Sequence, residues 1–197
     1  MNLVNRVRNI LLQPQSEWQV IEAEQTDPQS LYTSYIMILA LIPAVAGLIG
    51  TTFMVSFMGG RIGMGFVIGA AIMQYVLSLV MVFVVAFIAD LLAPSFDGQK
   101  NLNQALKLTA YAMTAAWVAG VFTLIPFLGW LLSLLGGLYA LYLFYLGAPL
   151  LMKVPAAKTV GYTVVVVLAA IVVGFIIGMI NAGMLGMGTV GMMGGMR

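Results

Sequence analysis

The chain has 197 residues; 62% are hydrophobic, only 7% are charged, and the mean hydropathy is +1.08. Soluble domains carry about 25% charged residues, so this composition excludes a water-soluble globule. The small net charge of +2, with no cysteine and no histidine, excludes a nucleic-acid footprint, disulfides, thiolate metal sites and the commonest general base.

The first 27 residues mix Arg6 and Arg8 with Glu17, Glu22, Glu24 and Asp27, which is not the pattern of a cleaved signal. Leu3, Val4, Val7, Ile10 and Leu11 recur at helical spacing and predict an amphipathic helix that Pro14 ends. Ser16 precedes Gln19 by three positions, a capping-box pattern that predicts a second short helix. These helices either lie on the membrane surface, with Arg6 and Arg8 near headgroups, or cap the cytoplasmic ends of the helices that follow.

Four runs then carry no charge: residues 28–60, 62–89, 108–152 and 159–196. About 20 apolar residues cross a bilayer as a helix. Asp27-Pro28 reads as an N-cap with proline at the first helical position, and the first span is predicted over 31–57, kinked at Pro43. The second span is predicted over 66–92. A loop with Pro94, Asp97 and Gly98 follows, and Asn101 caps a third span over 102–125. The third run would be about 68 Å long as one helix, roughly twice the hydrocarbon thickness. It therefore breaks at Pro126 to Gly129, with Trp130 as an interfacial anchor, and a fourth span covers 130–152. The fifth is predicted over 160–181, followed by an irregular Gly/Met-rich tail over 182–197. The expected fold is all-α, a polytopic membrane protein with a five-helix bundle and short N-terminal helices.

Five spans put Arg6, Arg8, Lys100, Lys107, Lys153 and Lys158 on one side and Arg61 and Arg197 on the other. The positive-inside rule then predicts a cytoplasmic N-terminus and an external C-terminus, in a bacterial inner membrane.

Several short elements in order resemble a known family. They are Leu12-Gln13-Pro14, Glu17-Trp18-Gln19-Val20-Ile21, Tyr35, Leu41-Ile42-Pro43, and Phe96-Asp97-Gly98-Gln99-Lys100-Asn101. Ala105-Leu106-Lys107-Leu108-Thr109-Ala110-Tyr111-Ala112 and Ile125-Pro126-Phe127-Leu128-Gly129 complete the series. The series resembles prokaryotic members of the Yip family, Ypt/Rab-interacting membrane proteins with five membrane helices. The resemblance implies membrane trafficking or organisation and draws attention to Tyr111. This chain has Asp97-Gly98 where a glycine pair is common.

Asp90 is the carboxylate nearest a membrane segment. It either pairs with Lys100 or Lys107, the preferred reading, or belongs to an ion pathway. Gln74 is expected to hydrogen-bond between helices. Tyr139, Tyr142 and Tyr145 recur every third residue and either line a polar groove or pack, with hydroxyls bonded to Gln74, Ser78 or backbone. Gly65/Gly69 and Gly174/Gly178 allow close helix approach, within the chain or in a homo-oligomer. Met184, Met187, Met192, Met193 and Met196 are soft ligands, but without fixed geometry they read as a flexible tail rather than a Cu(I) site. Nothing matches a catalytic, cofactor or metal motif. The function expected is non-enzymatic: organising membrane or recruiting a cytoplasmic protein partner, with lipids as the other partners. The alternative is a small channel or transporter using Asp90, Gln74 and the tyrosines.

Overall fold

A computed structural model describes residues 2–57, 63–125 and 128–194, with side chains except at 177 and 180–194. All its regular elements are helical, and five are long and apolar enough to span a membrane. Two short helices come first: α1 (Leu3–Leu12) and α2 (Pro14–Ala23). The five long ones are α3 (Pro28–Phe57), α4 (Met64–Leu92), α5 (Leu102–Ala119), α6 (Gly129–Leu151) and α7 (Ala156–Gly194). One-turn 3-10 segments extend α4 (Ala93–Phe96) and α5 (Gly120–Leu124).

The caps follow the local chemistry. Asp27 Oδ2 accepts from the Ser30 N–H at 3.2 Å, and Asn101 Oδ1 from the Gln104 N–H at 3.1 Å, as the sequence predicts. Ser16 does not cap α2. That helix begins at Pro14, whose missing N–H costs nothing at the first position, and the Ser16 hydroxyl donates back to the Gln13 carbonyl at 3.1 Å. The sequence places the last helix's end at Asn181. The backbone instead stays helical through Gly194, because glycine weakens a helix but only proline removes a ladder bond, and no proline lies there. The Pro126-Phe127 break and the turn with Arg61 lie outside the described residues, as does Arg197. The side chains of Asn181, Met184, Met187, Met192 and Met193, and all of Met196, also lie outside them.

The centre of the bundle is α5. Its best apolar window is 72% buried, against 22–33% in the other spans. It packs most closely on α6 and also touches α3, α4 and α1. Glycines let neighbouring elements approach closely. A Cβ on Gly147 would lie 2.6 Å from Leu108 Cδ1 and 2.8 Å from the Trp18 ring; one on Gly120 would lie 2.6 Å from Pro43 Cβ. The glycines singled out from the sequence are not used this way: Gly65, Gly69 and Gly178 meet nothing within 4 Å, and Gly174 meets only the Met81 methyl group.

Burial is concentrated at the end where the short helices sit. Ile10, Trp18, Ile21, Leu31, Leu108 and Leu143 are all but inaccessible there. Phe53 and Phe57 near the opposite end of α3 are 60% and 80% exposed, as lipid-facing side chains are without lipid. Of the two sequence readings for α1 and α2, the structure shows the cap. Arg6 is 4% exposed and turned into the protein, not toward headgroups.

Candidate functional site

The capped end is built around Arg6. Leu3, Val7, Ile10 and Leu11 hold α1 on the core, and the same register turns Arg6 inward. Its Nη1 donates to Glu17 Oε1 at 2.5 Å, and its Nη2 to Glu24 Oε1. Asn9 Nδ2 donates to the other Glu17 oxygen at 3.1 Å. The guanidinium lies 5.4 Å from the Tyr111 ring centroid, a cation–π arrangement that needs no solvent. Burial works to lower the Arg6 pKa, but the Glu24 hydrogen bond and the surrounding negative groups outweigh it and hold it above the ordinary value.

Aromatic residues form the layer beneath. Tyr111 meets Tyr35 edge to face at 4.7 Å and Trp18 at 6.4 Å. Tyr35 comes from a π-helical turn, Tyr32–Ile36, inside α3. That wide turn sends its hydroxyl to Thr114 Oγ1 at 2.7 Å and the Tyr32 hydroxyl to the Leu79 carbonyl at 3.2 Å.

Backbone contacts close the rest of this end. Lys107, 1% exposed, donates to the Glu24 carbonyl at 2.7 Å and the Glu22 carbonyl at 3.5 Å, placing a cation on the carbonyl end of α2. Asn103 Nδ2 donates to the Thr26 carbonyl at 2.9 Å. The Gln99 N–H donates to the Met152 carbonyl at 2.8 Å. Lys153 pairs with Glu22, and Lys158 with Asp97. Asp97 takes φ 59, a left-handed conformation that favours glycine and that Asp tolerates. The N-terminal segment and the two loops that charge bias assigns to one side therefore meet at one end.

A cavity of about 690 Å³ opens beside this network. Arg6, Glu24, Asp27, Ser34, Tyr35 and Tyr111 are among the residues that line it.

The other sequence candidates lie apart. Asp90 sits near the capped end of α4, where its Oδ1 is buried without a hydrogen-bond partner. The expected pairing with Lys100 or Lys107 is not made among the described residues: Lys107 is committed to the α2 carbonyls, and Lys100 is exposed in the loop. At the preceding residue the Tyr162 hydroxyl of α7 donates to the Ala89 carbonyl at 2.8 Å. Gln74 faces outward. Of the three tyrosines on α6, Tyr139 donates to the Leu11 carbonyl at 2.7 Å and so pins the end of α1; Tyr142 and Tyr145 are 45% and 38% exposed on the outer surface. Only Lys107 and Tyr111 of the candidates join the Arg6 network. Sequence reasoning missed Arg6, Glu17, Glu24 and Tyr35. The readable signal was an arginine on the apolar stripe of α1 and a glutamate beside the buried Trp18, two opposite charges on faces that had to be inward.

Among the described residues no group of three or more acidic, histidine or cysteine side chains is placed to hold a metal ion.

Comparison with known proteins fits this architecture. The chain matches the Yip1 domain over residues 8–178. It is 27% identical to "Inner membrane protein YohC" of Escherichia coli (strain K12) over 157 residues, covering 74% of this chain and 78% of that protein. The protein of the same name from Escherichia coli O6:H1 matches to the same extent. No solved structure gives a significant match.

Proposed function

The chain belongs to the Yip1 domain family of multi-pass membrane proteins, and on that footing we propose that it works without catalysis, its capped end recruiting a protein partner or organising the membrane from the cytoplasm. The observation that carries this reading is the buried Arg6–Glu17–Glu24 network. It fixes two helices, too short and polar to span, over one end of the bundle, and so gives that end a defined polar surface. Six of the eight Lys and Arg residues lie at that end by sequence, which supports a cytoplasmic placement. The inner-membrane name of the relatives supports the location. On this surface Gln15, Gln19 and Val20 are exposed on α2, and Val20 is an apolar residue outside every span. A photo-crosslinker at Gln19, followed by mass spectrometry from native membranes, should yield a discrete protein adduct. Only lipid adducts there, identical to those from a crosslinker at lipid-facing Phe87, would contradict recruitment.

A channel or transporter is the second reading, and the partnerless Oδ1 of Asp90 is its motive. Flux in liposomes that is lost in Asp90→Asn would favour it; the first reading predicts no flux in either protein.

A further inference from the structure

The cavity at the capped end has features that the cap itself does not require. At about 690 Å³ it falls in the usual range of ~300–1,000 Å³ for small-molecule sites. Its rim is Gln25, Thr26 and Asp27, at the polar edge where α3 begins. Its floor is Tyr35 and Tyr111, each about two helical turns or more, ~10 Å, from the start of its helix. Leu3 and Leu31 add apolar lining. The space therefore runs from the start of α3 to a point about two helical turns along it.

The lining is polar in a particular way. Tyr111 is 5% exposed and lines the cavity, yet its hydroxyl has no hydrogen-bond partner among the described residues. Glu24 receives Arg6 on Oε1, and Asp27 receives the Ser30 N–H on Oδ2; the second oxygen of each carboxylate takes no bond from the described residues. Charge is not balanced. Glu22 is matched by Lys153, while Arg6 is shared between Glu17 and Glu24. Lys107 donates to the backbone carbonyls of Glu24 and Glu22, so among the described side chains Glu17, Glu24 and Asp27 outnumber the cations Arg6 and Lys107 by one carboxylate. A ligand here has to present a positive group to the carboxylates and an acceptor oxygen to the Tyr111 hydroxyl.

We propose that the cavity binds a zwitterionic amine phosphate, the chemistry of an aminophospholipid headgroup. The ammonium lies at the Glu24 and Asp27 carboxylates, and a phosphate oxygen accepts from Tyr111. The same chemistry exists in free phosphoethanolamine, so the test carries both sources. This assignment stands independently of whether a protein docks on the cap.

The full chain, purified in mild detergent, is offered equal amounts of phosphatidylethanolamine and phosphatidylglycerol and read by native mass spectrometry. The amine lipid should be retained about tenfold over the anionic one, since a charge-assisted hydrogen bond is worth about that factor. Asp27→Asn keeps a competent helix cap and should bring the two lipids close to parity. Tyr111→Phe removes a hydroxyl with no internal partner, so it should leave thermal unfolding without lipid unchanged while lowering retention about fivefold. Both variants thus report on the ligand rather than on folding. Displacement of the lipid by phosphoethanolamine would extend the site to the soluble compound, and failure of displacement would restrict it to the lipid. Equal retention of both lipids by the unaltered chain, or undiminished amine-lipid retention in both variants, would overturn the proposal.

Discussion

Removing the Arg6 guanidinium would leave the Glu17 carboxylate, 4% exposed, with Asn9 as its one partner among the described residues. Breaking one side of a buried pair in this way costs about 3–5 kcal/mol, because the stranded charge stays out of water. Arg6→Met should therefore lower the thermal unfolding midpoint in detergent markedly. Arg6→Met with Glu17→Gln should recover part of the loss, since neither charge then remains unmatched by the other. A double variant no better than the single would mean the pair is not coupled. The contrast with Arg8 is instructive, because it lies on the outer face of the same helix and forms no ion pair among the described residues. Composition treats the two arginines alike. Only the register of Leu3, Val7 and Ile10 separates them, and that register was readable. What it faces was not, because Glu17, Glu24 and Tyr111 reach Arg6 from distant points in the chain. Asp90 failed in the opposite direction. Lys107 lies close enough in sequence to suggest a pair, but the end of α2 offers it two carbonyls instead.

The long helices were legible as elements because a bilayer selects them by one property, a long run without charge. Their fine structure was not. The π turn at Tyr32–Ile36 and the 3-10 ends of α4 and α5 depend on which neighbour each turn meets, and hydropathy carries no trace of that. Close approach is similar. The G-x-x-x-G spacings marked positions that meet nothing within 4 Å among the described residues, apart from Gly174 at the Met81 methyl, while Gly147, which carries no such signature, receives Trp18. Gly147→Ala should cost about 1–3 kcal/mol by overpacking, since the Leu108 methyl can move but the buried indole cannot. Trp18→Ala should cost about 3–5 kcal/mol by emptying the same contact. Measured by thermal unfolding, a neutral Gly147→Ala would mean that α2 does not seat on α6. Removal of residues 1–12 tests α1 in the same way. Loss of the Arg6 network and of the Tyr139 bond to Leu11 should leave an inserted but less stable bundle, seen as faster proteolysis in membranes.

At the scale of the whole molecule, the N-terminal helices and two loops assemble into one polar end, and the remaining described surface along the spans is mostly apolar, with Gln74 an exception. The proposal that the capped end is the working one and faces the cytoplasm rests on this asymmetry and on the six-to-two Lys and Arg bias. The native chain has no cysteine, so any introduced thiol is a single reporter. Cysteines at Gln15, Gln99 and Ala157 lie at the capped end, and one at Gly63 lies at the opposite end between α3 and α4. An impermeant thiol reagent should leave the first three unlabelled in intact cells, label them after permeabilisation, and label Gly63→Cys in intact cells. Labelling of Gln15→Cys or Gln99→Cys in intact cells, with Gly63→Cys protected, would contradict a cytoplasmic capped end.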